Sequence, residues 1–280
     1  MKITILVDNR SNKEDSRLQT EHGLSIFIET DGGQRILFDT GASGKFAVNA
    51  GLLNIDLNNI DFAAISHGHA DHIGGLDAFT KINKTALVYI AGKVWGSTYF
   101  SSRHPVKKNI SIDPNILNAH SNQFIPLENS LWINEEIALV FNTCHSHPYP
   151  KGNRFLSVLD AQGEKLDTFL HEMGLVIKTK DGIVIISPCS HNGVENIIES
   201  CKKFTGIEKV YSFIGGMHMI DQGGETLENL FDIGKTILAN NPNISIFTGH
   251  CTGELAFKIF DDTNFPLKIY QFFTGCSFSI

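Results

Sequence analysis

The stretch "AISHGHADHIGGL" at residues 64–76 sets the strictest condition on any fold this chain can adopt. It crowds His67, His69, Asp71 and His72 into six positions, behind an apolar run and ahead of a glycine pair. Imidazole nitrogen and carboxylate oxygen are the donors that zinc, manganese and iron take at about 2.0–2.2 Å. Side chains so close in sequence converge on one point only along an irregular turn, because neighbours on a helix face are three or four residues apart. The preceding "DFAAIS" reads as a buried strand that delivers the turn rigidly. Gly68 gives backbone freedom between two ligands, and Gly74-Gly75 lets the chain fold back closely before the next helix. A His-rich surface loop is the bland alternative, and four ligand-type residues in six positions weigh against it.

Around this anchor, short runs rich in Ile, Val and Phe recur between turn signals: "KITILVD", "LSIFIET", "RILFDTG", "FAAISH", "ALVYIAG", "LWINEEIALVFNT", "GLVIKTK" and "GIVIISP". These predict strands. Asp31-Gly32-Gly33 and Lys180-Asp181-Gly182 predict tight hairpin turns, so much of the sheet is expected to be antiparallel. Helical spacing appears in "SGKFAVNAGLLNID", "GGLDAFTKIN", "GVENIIESCKKF" and "ETLENLFDIGKTILAN", each placed after a strand. Helices packed outside sheets follow, as in a two-sheet sandwich, with a doubly wound sheet also compatible with the pattern. Residues 97–130, with Pro105, Pro114 and Pro126, show weak periodicity and read as an irregular insertion or lid in a single domain spanning 1–280.

Bulk properties narrow the function. A chain of 280 residues buries roughly three quarters of its unfolded surface and needs no structural metal, so a bound metal is expected to be functional. The net charge of −7 and the lack of Lys/Arg runs beyond pairs argue against a nucleic-acid partner. No apolar run approaches the ~20 residues of a membrane span. Five scattered cysteines and a start, "MKITILVD", that reads as a strand rather than a leader point to the cytoplasm.

The motif H-x-H-x-D-H at a strand end resembles that of the metallo-β-lactamase superfamily, which implies an α/β (α+β) fold: a four-layer αββα sandwich with metals at the strand ends. "ILFDTG" resembles the family's early strand ending in an aspartate that braces the metal loop, which gives Asp39 that role. "PCSHNG" and "GHCTG" resemble later ligand loops and offer His191 and His250 as further ligands. "EHGLS", "LFDTG", "SHGHADHIGGL", "PCSHNG", "GGMH" and "HCTG" together are similar to a subgroup of predicted metal-dependent hydrolases. Its members are often named dihydropterin-methyl-ribofuranosyl-aminobenzene phosphate synthases.

Against the family pattern, the hairpin "GLVIKTKDGIVIISPCSH" ends in Cys189-Ser190-His191, where an aspartate bridging two metals would stand. Two registers are open. In one, His191 is the third histidine of the first site and His218 of "GGMH" stands for the aspartate. In the other, His145 or His147 of "NTCHSHPYP" is the third histidine and His191 replaces the aspartate. A neutral imidazole in place of a bridging anion leaves two dications less compensated, so one tight and one loose metal are expected.

An ion with an open position lowers the pKa of bound water toward ~7, which supplies a nucleophile for phosphoester, ester, amide or lactone cleavage. Asp71 and His218 are the candidate catalytic groups. The leading expectation is a hydrolase with one or two divalent ions, zinc first and iron or manganese as alternatives, acting on a small, phosphorylated or ester substrate. A transferase of the pterin-synthase type is a second reading, with Trp95, Tyr99 and Phe100 available for an aromatic pocket. A diiron redox or oxygen-binding module and a non-catalytic sensor complete the set. Glu21-His22 reads equally as a cleft pair or a solvated hairpin end. His104, His120 and His171 read as surface residues; Cys251, next to His250, and Cys189, two before His191, could touch a metal, with small buried thiols the commoner reading.

Overall fold

Asp-Gly and Gly-Gly turns supply the positive φ that a tight hairpin demands, and both expected hairpins form. In the computed structural model, which describes residues 1–120, 122–262 and 267–280, Ser25–Glu29 pairs antiparallel with Arg35–Phe38, and Met173–Thr179 with Gly182–Ile186. Gly33 (φ 83°) and Gly182 (φ 133°) take the left-handed values.

The chain forms two compact units, Met1–Glu128 with Leu156–Asp167 and Phe272–Ile280, and Asn129–Phe155 with Thr168–Gln271. The first holds a seven-stranded sheet in the order Ser277–Ser279, Lys2–Val7, Ser25–Glu29, Arg35–Phe38, Phe62–Ala64, Leu87–Ala91, Phe124–Leu127. Its first four strands are antiparallel neighbours and the rest run parallel. The second unit repeats the mixture in the order Lys268–Gln271, Ser245–Thr248, Val210–Ile214, Gly182–Ile186, Met173–Thr179, Ile137–Phe141, Leu131–Trp132. Here the first four are parallel neighbours and the others antiparallel. The antiparallel expectation therefore holds for half of each sheet. Where a helix such as Leu76–Ile82 or Val194–Thr205 joins two strands, the crossover length makes the pairing parallel.

Residues 97–130 are more regular than their sequence implies. Thr98–Ser101 and Lys108–Asn109 join Leu156–Asp160 and Gly163–Leu166 in a four-stranded sheet, and Phe124–Leu127 closes the edge of the first large sheet. The prolines hide this order. Pro114 opens the helix Pro114–Ala119 behind an Asp113 cap, where a missing N–H is harmless, and Pro126 sits on an edge strand that tolerates it. Ser121 lies outside the described residues.

Each unit has an apolar core. In the first, Ile5, Ile26, Phe38, Phe46, Phe79 and Val88 are fully buried. In the second, Val194, Ile197, Ile198 and Cys201 lay one stripe of the helix Val194–Thr205 against Val176, Ile185 and Phe213 of the sheet. Each such residue contributes about 1.5–3 kcal/mol by leaving water. That helix ends on Gly206 in the left-handed conformation, and Leu227–Asn240 opens with a Thr226/Asn229 capping box. No described helix is long and apolar enough to cross a membrane.

Loops that follow adjacent parallel strands leave from the same sheet edge, the usual place for a site in such sheets. In the first unit these loops carry Asp39 and the run Ser66–His72; in the second they carry 187–193, 215–218 and 249–253.

Candidate metal centre

In the first unit Phe38 and Ala64 are register partners, so the residues that follow them lie close together. Asp39 accepts hydrogen bonds from the Ser66 backbone N–H (2.6 Å), Ser66 Oγ (2.7 Å) and His72 Nδ1 (2.6 Å). A carboxylate can only accept, so His72 carries its hydrogen on Nδ1 and presents the lone pair at Nε2. Ser66 Oγ gives its one hydrogen to Asp39 and lies 2.8 Å from His67 Nδ1. His67 must therefore donate through Nδ1, which again leaves the Nε2 lone pair for a metal. Fixing tautomer and ring plane through the other nitrogen is what metal-bound histidines require. Full burial pushes the Asp39 carboxyl above its ordinary range, against the pull of His72 and Ser66. Asp39 also takes a positive φ (61°), a strained state of the kind that clusters at functional sites.

His69 caps the short helix Ala70–Ile73, with Nε2 3.6 Å from Asp167 Oδ2 and its ring 5.4 Å from that of Tyr99. A Cβ on Gly68 would lie 2.4 Å from the Tyr99 ring, so the glycine of H-x-H makes room for this aromatic wall. Burial and the Asp167 charge hold the Tyr99 phenol above its ordinary pKa. On Gly75 a Cβ would meet Thr40 O at 2.2 Å, and on Gly74 it would meet Ala42 O at 2.4 Å. The glycine pair therefore serves close backbone approach, as its sequence implies. Asp71 Oδ2 lies 3.6 Å from His72 Nε2 and 3.4 Å from His22 Nε2. The Glu21-His22 pair thus divides: His22 faces Asp71, while Glu21 accepts from the Ala42 and Ser43 N–H groups and Ser43 Oγ, and so holds a loop.

In the second unit Glu172 plays the part that Asp39 plays in the first. Its carboxylate accepts from His191 N (2.7 Å), Asn192 N (2.8 Å) and Asn192 Nδ2 (2.7 Å). Full burial pushes it above the ordinary carboxylate range against those donors. Asn153 Nδ2 donates to His191 O (2.8 Å), which turns Oδ1 toward His191 Nδ1 at 3.2 Å. His191 is thereby held as a third Nδ1–H donor with its lone pair at Nε2. Phe169 stacks on the His191 ring at 4.3 Å, and the His218 ring lies 4.1 Å away on centroids. His218 Nδ1 lies 3.5 Å from Cys189 Sγ, and Cys189 and Cys251 Sγ are 3.4 Å apart. Burial pushes the Cys251 thiol up, but the hydrogen bond to Cys189 and the charges of His250 and His218 bring it well below the ordinary value. His250 is 6 % exposed, and Ser190, His218 and His250 all take positive φ.

The remaining histidines sort themselves by burial. His145 is exposed and bonds Tyr149 Oη through Nδ1, and half-buried His147 lines a cleft, so His191 and His218 are the pair that the second unit brings together. His104 is exposed and His120 half-buried. The surface expectation fails for His171, which is 3 % exposed beside Phe169, because the strand that starts at Met173 draws it inward. Asp167, Glu172 and Asn153 belong to no motif in the sequence, and the fold alone reveals that Asp167 and Glu172 are buried and that Asn153 reaches His191.

The cleft of about 180 Å³ beside His147 is lined by Tyr149, Lys151, Glu195 and Glu225. Burial, with the Glu225 charge adding to it, pushes the Glu195 carboxyl up to about 7. A raised folded-state pKa favours the protonated form, so stability is greatest below the unfolded value near 4.5 and is lost as pH rises through 7. Glu195→Gln is expected to abolish up to about 3 kcal/mol of that decline, read by urea denaturation at pH 5 and pH 8. Equal pH slopes in both proteins would show that Glu195 ionises freely.

The donors suit a divalent ion. Ligand atoms of Cys189, His218 and Cys251 lie within 4.8 Å of one another. The buried His218 Nε2 has no hydrogen-bond partner among the described residues. A mixed α/β fold with several sheets and a braced H-x-H-x-D-H turn defines a class: the chain belongs to the metallo-beta-lactamase superfamily, whose family model matches residues 19–117. It is 31% identical over 263 residues to the 7,8-dihydropterin-6-methyl-4-(beta-D-ribofuranosyl)-aminobenzene-5'-phosphate synthase of Methanocaldococcus jannaschii, across 88% of this chain and 86% of that protein. Tm1679, a metal-dependent hydrolase of the beta-lactamase superfamily, matches with a TM-score of 0.82 and 26% identity over 100% of this chain and 99% of its own. Zinc-bound PqqB from Methylobacterium extorquens shares the fold, with a TM-score of 0.52, 14% identity and full coverage of both chains.

Proposed function

We propose that this protein is a metal-dependent hydrolase of small phosphoester, ester or lactone substrates, using one or two divalent ions, zinc foremost. The observation that carries the reading is the chain His67 Nδ1, Ser66 Oγ, Asp39, His72 Nδ1, which engages both Nδ1 hydrogens within the protein and orients two Nε2 lone pairs. His67, His69, Asp71 and His72 of the first unit and His191 and His250 of the second are the ligands we assign. An ion held by the ligands of either unit would supply Lewis acidity toward the scissile oxygen and acidify water. Asp71, with a side chain 21% exposed, takes up the proton released in the reaction at Oδ2. His22, 3.4 Å away and 61% exposed, hands it to solvent. His218 we read as a ligand-side residue rather than an acid or base. A phosphorylated substrate and a cytoplasmic location complete the assignment, supported by the synthase relative and by the five scattered cysteines.

The relatedness to a synthase favours a second reading, transfer to a pterin-type acceptor, and one experiment separates the two. The purified protein is analysed for metals and assayed on generic phosphoesters, carboxylic esters and lactones, beside His69→Ala. Hydrolysis by water alone, falling at least about 10³-fold in His69→Ala or after chelation, supports the hydrolase. Turnover that requires a pterin acceptor moves the assignment to the transferase. A wild-type protein that binds no metal overturns both.

A further inference from the structure

We infer that Cys189, Cys251 and Nδ1 of His218 form a thiolate metal site within the second unit. The inference rests on the metal-dependent reading above and concerns which of the chain's residues hold the ion.

Three observations carry it. The first is spacing. Zinc bonds of about 2.3 Å to sulfur and 2.0–2.1 Å to nitrogen at tetrahedral angles place S and S about 3.8 Å apart, and S and N about 3.6 Å apart. The pair Cys189 Sγ and Cys251 Sγ stands at 3.4 Å, and Cys189 Sγ and His218 Nδ1 at 3.5 Å. The sulfurs are far from the ~2.05 Å of a disulfide, so they are preorganised as separate donors.

The second is orientation. His218 is 3 % exposed, and its ring turns Nδ1 toward the Cys189 thiol. The backbone N–H of His218 in turn donates to Cys251 Sγ at 3.2 Å, the kind of bond that stabilises a thiolate.

The third is what the surrounding chain gives up to bring these atoms together. His218 itself, Ser190 beside Cys189, and His250 beside Cys251 all hold φ between 50° and 62°, a region that L-residues avoid unless the structure compels it. A Cβ on Gly216 would stand 2.4 Å from Cys251 Sγ, so this glycine is the hollow into which the thiol fits. Small thiols that merely fill a core need neither the strain nor the hollow. The sites that hold Cys189, His218 and Cys251 leave the carboxyl ends of three adjacent parallel strands, Gly182–Ile186, Val210–Ile214 and Ser245–Thr248. That order is why residues up to 62 positions apart in sequence meet.

The test loads the full-length protein with cobalt(II) and records its absorption beside Cys189→Ser, Cys251→Ser and the double variant. The expected result is an intense near-ultraviolet sulfur-to-cobalt charge-transfer band in the wild type, weakened in each single variant and lost in the double one. Cobalt bound with no such band, or a band unchanged in the double variant, overturns the thiolate site while leaving a histidine-held metal and the hydrolase reading intact. A wild type that binds neither cobalt nor zinc overturns both. Should the variants fail to fold, cadmium NMR on the wild type decides: a shift for two sulfur ligands supports the site, and one for nitrogen and oxygen alone refutes it.

Discussion

Asp39→Ala is expected to destabilise the metal-free protein by about 3–5 kcal/mol, because it leaves three buried hydrogen-bond donors without their common acceptor. The carboxylate is the common acceptor for the Ser66 N–H, Ser66 Oγ and His72 Nδ1, and alanine leaves all of them buried without it. Water cannot easily take its place, since Asp39, Ser66 and His72 are each no more than 1 % exposed. The same change frees the rings of His67 and His72 to turn, so zinc affinity should fall roughly 10–100-fold. Asp39→Asn keeps one acceptor oxygen and turns an NH₂ group onto a donor, and a loss of about 1–3 kcal/mol is expected. Urea denaturation of chelated protein, followed by zinc titration, checks both numbers. An alanine variant within about 0.5 kcal/mol of wild type would show that the brace is incidental.

Glu172→Ala should have an effect of the same size, about 3–5 kcal/mol, from three donors left without an acceptor and confined to the second unit's ligand loop. Its two oxygens accept from the backbone of both His191 and Asn192 and from the Asn192 side chain. Glu172→Gln retains one acceptor for donors that face two oxygens, so about 1–3 kcal/mol is expected for the donor left unsatisfied. Amide exchange distinguishes loop release from general unfolding. Protection lost at His191 and Asn192 with the strand Met173–Thr179 still protected is the expected pattern. Uniform protection in Glu172→Ala would remove this carboxylate from the architecture of the site.

These two acids also mark where reading the chain from its residues alone stops. Asp39 is legible only through its place in "LFDTG", a strand end that resembles a known pattern. Glu172, in "LHEMG", resembles nothing, yet the two do the same work: each is a fully buried carboxylate that accepts backbone N–H groups from a ligand loop. Burial decides that role, and burial is a property of the assembled sheet. The cysteines show the same gap from the other side. In sequence, Cys189 and Cys251 stand near candidate ligands yet read first as small buried thiols, and their 3.4 Å separation with the His218 ring against Cys189 is what singles them out.

By itself the sequence determined what is local. The turn His67–His72 places its ligands within one stretch of backbone, Gly74 and Gly75 admit the close approach that follows, and Asp-Gly and Gly-Gly set the hairpins, because each depends on torsions within a few residues. The tertiary structure alone decided what is shared between distant segments: which strands run parallel, that 97–130 lends Phe124–Leu127 to the first sheet, and which buried carboxylates and thiols stand beside the histidines. The physical reason is that strand order is fixed by crossover helices and apolar burial summed over the whole sheet, and side chains 33 or 62 residues apart meet only after that order is set.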